Sequence, residues 1–239
     1  MAEEKKYELT DETIEIYGHT LHRIRALKDF RTAGFLPVGM SSFVKAGDLG
    51  GFIESEDNLS HLGNCWVFDN ACVFGDAYVF NDAKIINQAL IFDNAMVSGK
   101  ATVEDHCEVG DYACIHGAAV LCHWACIKGH ADVYDRARII GDAIISGHAH
   151  VYGSAEVSGV AVVYDNARVF GDARIGHRAK VYDNAAVFGQ AYVFDYAQVC
   201  GEAKVYHDSR VFHRDVITDV LCVKMSPEPK SSNQDAEEM

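Results

Sequence analysis

The sequence contains no apolar run of 18 residues, so no segment has the length that a membrane-spanning helix needs. Its first residues, MAEEKKYELT, lack the apolar core of a signal peptide. Basic residues are few, since 21 Lys and Arg stand against 35 Asp and Glu, for a formal net charge of −14. This balance disfavours binding to a nucleic acid polymer through phosphate neutralisation. These absences predict a cytoplasmic protein that binds neither a membrane nor a nucleic acid polymer.

What the sequence does have is a six-residue repeat. From Val67 to Ile217 every sixth residue is Val, Ile or Leu, and the residue two places earlier is Ala from Ala71 to Ala203, except at Cys107. Because side chains alternate between the two faces of a strand, inward positions two residues apart indicate short β-strands. The linking positions are mostly Gly, Asp, Asn and His, which favour tight turns.

Three such hexads per coil form a triangular tube, in which residues 18 apart lie above one another. We expect nearly nine coils at roughly 4.8 Å each, which gives a prism about 40 Å long. This all-β pattern resembles the left-handed parallel β-helix of hexapeptide-repeat proteins. The left-handed winding is implied by that resemblance, because the general rule for parallel crossovers predicts the opposite hand.

The repeat divides the chain into three predicted parts. Residues 1–60 should form an N-terminal β-hairpin cap and an irregular first coil, because an open solenoid end exposes unpaired strand edges. Residues 61–221 should form the left-handed β-helix. Residues 222–239 are rich in acids, serines and prolines, which predicts a disordered acidic tail.

Four segments carry a closer resemblance: LHRIRAL (21–27), GDLGGFIE (47–54), NLS (58–60) and WVFDNA (66–71). Together they resemble the YdcK-like proteins, an acyltransferase-like family of bacteria and phages, over roughly residues 7–220. The resemblance implies a left-handed β-helix that assembles as a homotrimer. It implies acetyl-CoA as a cofactor only if the chain is an acyltransferase, and otherwise none. A shared fold does not specify a reaction.

One outward column holds the residues best suited to acid–base chemistry. Asp132, His150 and Arg168 follow one another at 18-residue spacing. Asp132 would orient His150, and such a pair can act as the general base that deprotonates an acyl acceptor. Loss of His150 from an enzyme would then reduce activity roughly 10²–10⁴-fold. The alternative interpretation is an acid–base ladder on the surface without catalytic function.

The neighbouring outward column is aromatic. It contains Tyr134, Tyr152, Phe170, Phe188 and Tyr206 at 18-residue spacing, which predicts a stack along the prism. A surface of this size exceeds what a monomer usually exposes, so we expect it in or beside a homotrimer interface. The alternatives are an exposed ladder or a surface for a nucleotide, with Tyr134, Tyr152 and Arg168 as contacts.

Two further outward columns are expected to be structural. His177, Asp195 and His213 occupy successive coils at one corner, where three such ligands can converge on zinc. That position is otherwise rich in Gly and Asp, so the favoured interpretation is a set of turn residues without a metal. Another column is predicted to be a solvated charge ladder: Trp66, Arg138, Glu156, Arg174, Tyr192 and Arg210.

The functional hypotheses follow from these columns and from the unbroken repeat. Acyltransferases of the hexapeptide-repeat fold build their pocket with a loop ejected from the coils and a helical C-terminal domain. Here the repeat continues without a break from Val67 to Ile217, which leaves no room for such a loop, and the residues after it are too few and too polar for a helical domain. The leading hypothesis is a non-catalytic scaffold or binding protein of phage or mobile-element origin, which acts as a homotrimer and binds a small ligand or a host protein. The alternatives are an acyl-CoA-dependent acyltransferase and a protein that sequesters a nucleotide in grooves between subunits.

Overall fold

The computed structural model describes residues 5–32 and 42–221, so the predicted tail at 222–239 lies outside the described residues. Within these ranges the chain forms an all-β parallel solenoid of about nine turns, as the repeat predicts. One 3-10 turn, η1 (Glu56–Asn58), is the single helical segment of the described residues. The described ranges contain no helix that is long and apolar enough to cross a bilayer.

The N-terminal strands form a hairpin that joins the solenoid. β1 (Tyr7–Ile16) pairs antiparallel with β2 (His19–Ala26), and β2 pairs antiparallel with β5 (Leu49–Ile53). β5 then runs parallel to the first coil strand of the same sheet, so the hairpin extends that sheet. A short separate pair consists of β3 (Phe30–Arg31) and β4 (Phe43–Val44).

Three sheets, numbered here 1 to 3, form the sides of the solenoid. Sheet 1 continues from β5 with β7 (Cys72–Val73), β10 (Leu90–Ile91), β13 (Glu108–Val109), β16 (Cys126–Ile127), β19 (Ile144–Ile145), β22 (Val162–Val163), β25 (Lys180–Val181), β28 (Gln198–Val199) and β31 (Val216–Ile217). Sheet 2 contains β8 (Tyr78–Val79), β11 (Met96–Val97), β14 (Cys114–Ile115), β17 (Asp132–Val133), β20 (His150–Val151), β23 (Arg168–Val169), β26 (Ala186–Val187), β29 (Lys204–Val205) and β32 (Val220–Leu221). Sheet 3 contains β6 (Trp66–Val67), β9 (Lys84–Ile85), β12 (Thr102–Val103), β15 (Val120–His123), β18 (Arg138–Gly141), β21 (Glu156–Val157), β24 (Arg174–Ile175), β27 (Tyr192–Val193) and β30 (Arg210–Val211).

The register between coils is regular. Paired residues on neighbouring strands are 18 positions apart, as in Asp132 opposite His150 and His150 opposite Arg168. The interior is dry and narrow, because the inward Ala and aliphatic residues are fully buried from Ala71 to Val205. Small and branched apolar residues therefore fill the tube, and outward side chains alone are available for contacts.

Each corner of the solenoid contains one residue in the left-handed conformation. Every sixth residue from Gly63 to His213 has a positive φ, between 52° and 79°. Only Gly, Asp, Asn and His occupy these positions, since other L-residues tolerate this conformation poorly. Each aspartate among them accepts a hydrogen bond at 2.8–3.3 Å from the backbone N–H of the residue 18 places later: Asp69, Asp93, Asp105, Asp111, Asp135, Asp165, Asp183 and Asp195. An aspartate at a corner therefore both adopts the left-handed turn conformation and bonds its coil to the next one.

One outward position differs from its predicted environment. Trp66, expected in a solvated ladder, is only 1% exposed. Its ring packs against Phe30 at 5.3 Å and Tyr7 at 6.2 Å between ring centroids. The prediction was wrong because segments outside the repeat cover this end of sheet 3.

Candidate functional site

A groove of about 540 Å³ lies on the outer face of sheet 2. Six residues line it: Tyr134, His148, His150, Tyr152, Asn166 and Arg168. Strands β20 and β23 place His150 and Arg168 outward, because their inward neighbours Val151 and Val169 fill the tube. The groove therefore brings together four of the residues singled out from the sequence, and adds His148 and Asn166 from the preceding turns.

Two residues of the groove, Tyr134 and Tyr152, belong to a continuous stack of rings along sheet 2. Neighbouring ring centroids are 4.8–5.2 Å apart and their planes lie within 7° of each other, through His116, Tyr134, Tyr152, Phe170, Phe188 and Tyr206. This spacing follows from the distance between strands of adjacent coils. All six side chains are half-buried on the outer face. The structure thus places the five aromatic residues of the predicted column in one stack, with an imidazole at its end.

The stack leaves little ring surface for a ligand. Tyr134, Tyr152, Phe170 and Phe188 each have a ring on both faces, so no free face remains among them. A nucleotide base cannot stack between these rings without separating the coils. The groove presents ring edges and the two tyrosine hydroxyls instead, which disfavours the base-stacking form of the nucleotide hypothesis.

Asp132 lies between two imidazoles. Its Oδ1 is 3.1 Å from His116 Nε2, and its Oδ2 is 3.7 Å from His150 Nδ1. The second distance is too long for a hydrogen bond. Oδ1 is enclosed, yet no well-aligned hydrogen bond reaches it from the described residues, so the His116 contact is a close polar approach without hydrogen-bond geometry. Asp132 therefore lies between two histidines and forms no hydrogen bond with His150 in this structure.

Arg168 contributes the permanent positive charge of the groove. Its Nη2 donates a hydrogen bond to the Tyr152 hydroxyl at 3.0 Å, and its guanidinium lies 5.7 Å from the centre of the Phe170 ring. Its neighbours in the column are His150 and Ala186, and no Asp or Glu of the described residues forms an ion pair with it. Burial raises the pKa of the Tyr134 hydroxyl, which keeps that phenol protonated and able to donate.

The remaining two lining residues belong to a second ladder along the corner. His148 stacks on His130 at 4.9 Å, with planes 3° apart. Asn166 Nδ2 donates to Asn184 Oδ1 at 3.2 Å, and Asn184 donates in turn to Glu202. These contacts fix the side of the groove opposite the ring stack.

The corner triplet His177, Asp195 and His213 forms an imidazole–carboxylate–imidazole contact. The two Nδ1 atoms lie 3.1 and 3.4 Å from the carboxylate oxygens of Asp195. The hydrogen bond from His177 is the largest cause of a lowered pKa of Asp195, and the hydrogen bond from the backbone N–H of His213 is the second. All three residues have positive φ, and the described residues contain no group of three His, Cys, Asp or Glu side chains arranged to hold a metal ion. A corner role accounts for this triplet.

Comparison with known proteins does not assign a function to these residues. No protein-family model matches the chain, and no curated protein matches it. The geometry of the groove on sheet 2 is therefore the basis for a functional conclusion.

Proposed function

We propose that the protein is a non-catalytic β-solenoid scaffold that binds a small ligand or a partner protein through the groove on sheet 2. The observation that carries this proposal is the combination of stacked tyrosine rings with polar groups that keep further hydrogen-bonding capacity in one concave surface. Strand pairing and the corner ladders fix both sides of the groove, so little conformational entropy is lost on binding. The wide spacing of Asp132 and His150 favours binding over proton abstraction.

The proposal includes assembly as a homotrimer with the ring stack in or beside the interface. The stack runs over six coils and is half-buried in the isolated chain, and aromatic surface of this extent is typical of interfaces. Left-handed winding, phage or mobile-element origin and a cytoplasmic location belong to the same proposal. The winding follows the resemblance of the repeat to hexapeptide-repeat proteins, and the origin follows the resemblance to YdcK-like proteins. The location follows from the lack of a signal-peptide core and of a membrane-spanning segment in the sequence.

Light scattering coupled to size-exclusion chromatography tests the assembly. The double variant Tyr152→Asp/Phe170→Asp should be monomeric while the unsubstituted protein is trimeric, because charges in an apolar interface are costly. The matched control is Tyr164→Asp/Tyr182→Asp, which alters a stacked pair on sheet 1 and should remain trimeric. A monomeric unsubstituted protein would refute this part of the proposal.

Native mass spectrometry of the purified protein tests ligand binding by the groove. We expect a non-covalent adduct, or capture of a partner, that is reduced in Arg168→Ala and retained in Arg174→Ala on sheet 3. Adduct loss in both variants would contradict a specific site on sheet 2.

The acyltransferase hypothesis makes a different prediction at the same groove. It requires release of coenzyme A from acetyl-CoA in the presence of an acceptor, with a loss of roughly 10²–10⁴-fold in His150→Ala. The scaffold proposal expects no turnover that depends on His150. Turnover of this kind, measured with a thiol reagent, would replace the scaffold proposal by the enzymatic one.

A further inference from the structure

We propose that the groove on sheet 2 binds an oxyanion, such as a phosphate group, with Arg168 as the anchoring residue. This inference rests on the proposed binding function of the groove and specifies the chemical class of its ligand. It begins from the composition of the lining. The six lining residues include one guanidinium, two imidazoles, two phenols and one amide, and no carboxylate.

This composition contrasts with the rest of the chain. The protein has 35 acidic residues against 21 basic ones, so a lining without a carboxylate is a local departure from the acidic surface. The carboxylate beneath the groove, Asp132, lies between His116 and His150. The corner aspartates on either side are also occupied, since Asp135 accepts from Gly153 N–H and Asp165 from Asp183 N–H. The groups that face the groove are therefore mainly donors.

The lining around Arg168 contains no carboxylate. Arg174 also forms no ion pair among the described residues, but it lies in a groove on sheet 3 with Glu156 and Asp172. Other arginines do form ion pairs. Arg138 pairs with Glu156 at 3.5 Å, and Arg23 pairs with Glu12 at 2.8 Å. Arg168 has no such partner among the described residues and uses one donor on the Tyr152 hydroxyl. A guanidinium carries five N–H donors, and its fork matches two oxygens of a phosphate or carboxylate. Its remaining donors are the strongest unpaired anion-binding groups of the groove.

The tyrosine hydroxyls complete the donor set. Because the Tyr152 oxygen accepts a hydrogen bond from Arg168, its own proton is directed away from the guanidinium and can be donated to a ligand. Tyr134 lies one coil below, with ring centroids 4.8 Å apart and planes within 1°. The two phenols therefore present their hydroxyls side by side along the edge of the groove. A tetrahedral oxyanion at Arg168 can accept from the guanidinium and from a phenol at the same time.

Titration calorimetry on the full chain tests this inference, with sodium phosphate, sodium sulfate and sodium acetate as probes at matched ionic strength against chloride. The expected result is saturable phosphate binding that weakens with added salt. Arg168→Ala should weaken it about 10- to 100-fold, as loss of a charge-assisted hydrogen-bonding group does. Tyr152→Phe, which keeps the ring stack, should weaken it by a smaller factor.

The matched control is Arg174→Ala, which removes the same charge from the outer face of sheet 3 and should leave phosphate affinity unchanged. Thermal melts establish that each variant is folded. Equal weakening by Arg168→Ala and Arg174→Ala, or no binding of any probe to the unsubstituted protein, would overturn the oxyanion site. An uncharged or cationic adduct in native mass spectra that is lost with Tyr152→Asp/Phe170→Asp would also overturn it, while leaving the binding function in place. If no anion bound and no adduct appeared in native mass spectra, the oxyanion site and the proposed binding function of the groove would both be refuted.

Discussion

Replacement of Asp111 tests how the corners stabilise the solenoid. Asp111 has a φ of 54°, and its Oδ2 accepts the Gly129 N–H at 2.8 Å across to the next coil. Asp111→Ala removes this acceptor, which is worth about 0.5–1.5 kcal/mol. The variant also leaves a residue with no local hydrogen bond in a left-handed conformation that costs roughly 1–2 kcal/mol. Since the site is exposed and Asp already bears part of this cost, we expect a total loss of about 1–3 kcal/mol.

Two other substitutions at Asp111 separate these contributions. Asp111→Asn keeps a side-chain acceptor and a residue type found in the left-handed region, so its stability should change by less than about 0.5 kcal/mol. Asp111→Gly loses the hydrogen bond but relieves the backbone strain, and these effects of about 1 kcal/mol each should nearly cancel. We therefore expect the Asn and Gly variants to be nearly as stable as the unsubstituted protein, and the Ala variant to be clearly less stable.

Amide hydrogen exchange at Gly129 is the most direct measurement, with urea unfolding as its global counterpart. A solenoid need not unfold in one step, so a local probe is preferable to a single free energy. Exchange at Gly129 should accelerate in both the Ala and the Gly variants, although only Ala loses global stability. If the Ala and Asn variants proved equally stable, neither the side-chain acceptor nor the tolerance of Asp for the left-handed conformation would contribute to the stability of the corner.

Two further predictions concern pH and the covered end of sheet 3. The pKa of Asp195 is lowered in the folded state, so its contribution to stability is present above its unfolded pKa and is lost as pH falls through the lower folded pKa. Asp195→Asn should therefore flatten the acid side of a plot of Tm against pH, and an unchanged acid side would contradict this linkage. Trp66→Ala should destabilise the protein by about 3–5 kcal/mol through loss of a buried aromatic side chain, and should speed amide exchange in β1 and β2. A loss below about 1 kcal/mol in urea unfolding would show that Trp66 does not secure the hairpin.

The vertical columns could be predicted because the repeat has no break. Once inward residues recur every six positions, the register between coils has no freedom, since a one-residue slip would turn the apolar side chains outward. This is why Asp132, His150 and Arg168 are paired in the structure as their spacing of 18 indicates. The same reasoning yields the single ring stack of sheet 2.

Diagonal contacts between columns could not be predicted in this way. His116 contacts Asp132, Tyr152 contacts Arg168, and both pairs are separated by 16 residues. Tyr182 donates to Gln198 across the same separation. These contacts depend on how far a long side chain leans across its strand, which the period of the repeat does not determine. The missed role of His116 and the hydrogen bond that positions Arg168 both follow from this second, diagonal register.

The solenoid constrains which ligands the groove can recognise. Backbone pairing places chemical groups one strand spacing apart along the axis, about 4.8 Å, and the dry core prevents individual coils from shifting to suit a ligand. Arg168 is bound to Tyr152 one coil below it, and Tyr134 follows one further coil below, so the donors form a rigid row. A compact oxyanion can bridge two donors of that row, whereas a planar base would need a ring face that the stack already covers. A ligand of the proposed site must therefore approach the edges of the rings, because the regular stacking that stabilises the fold covers their faces.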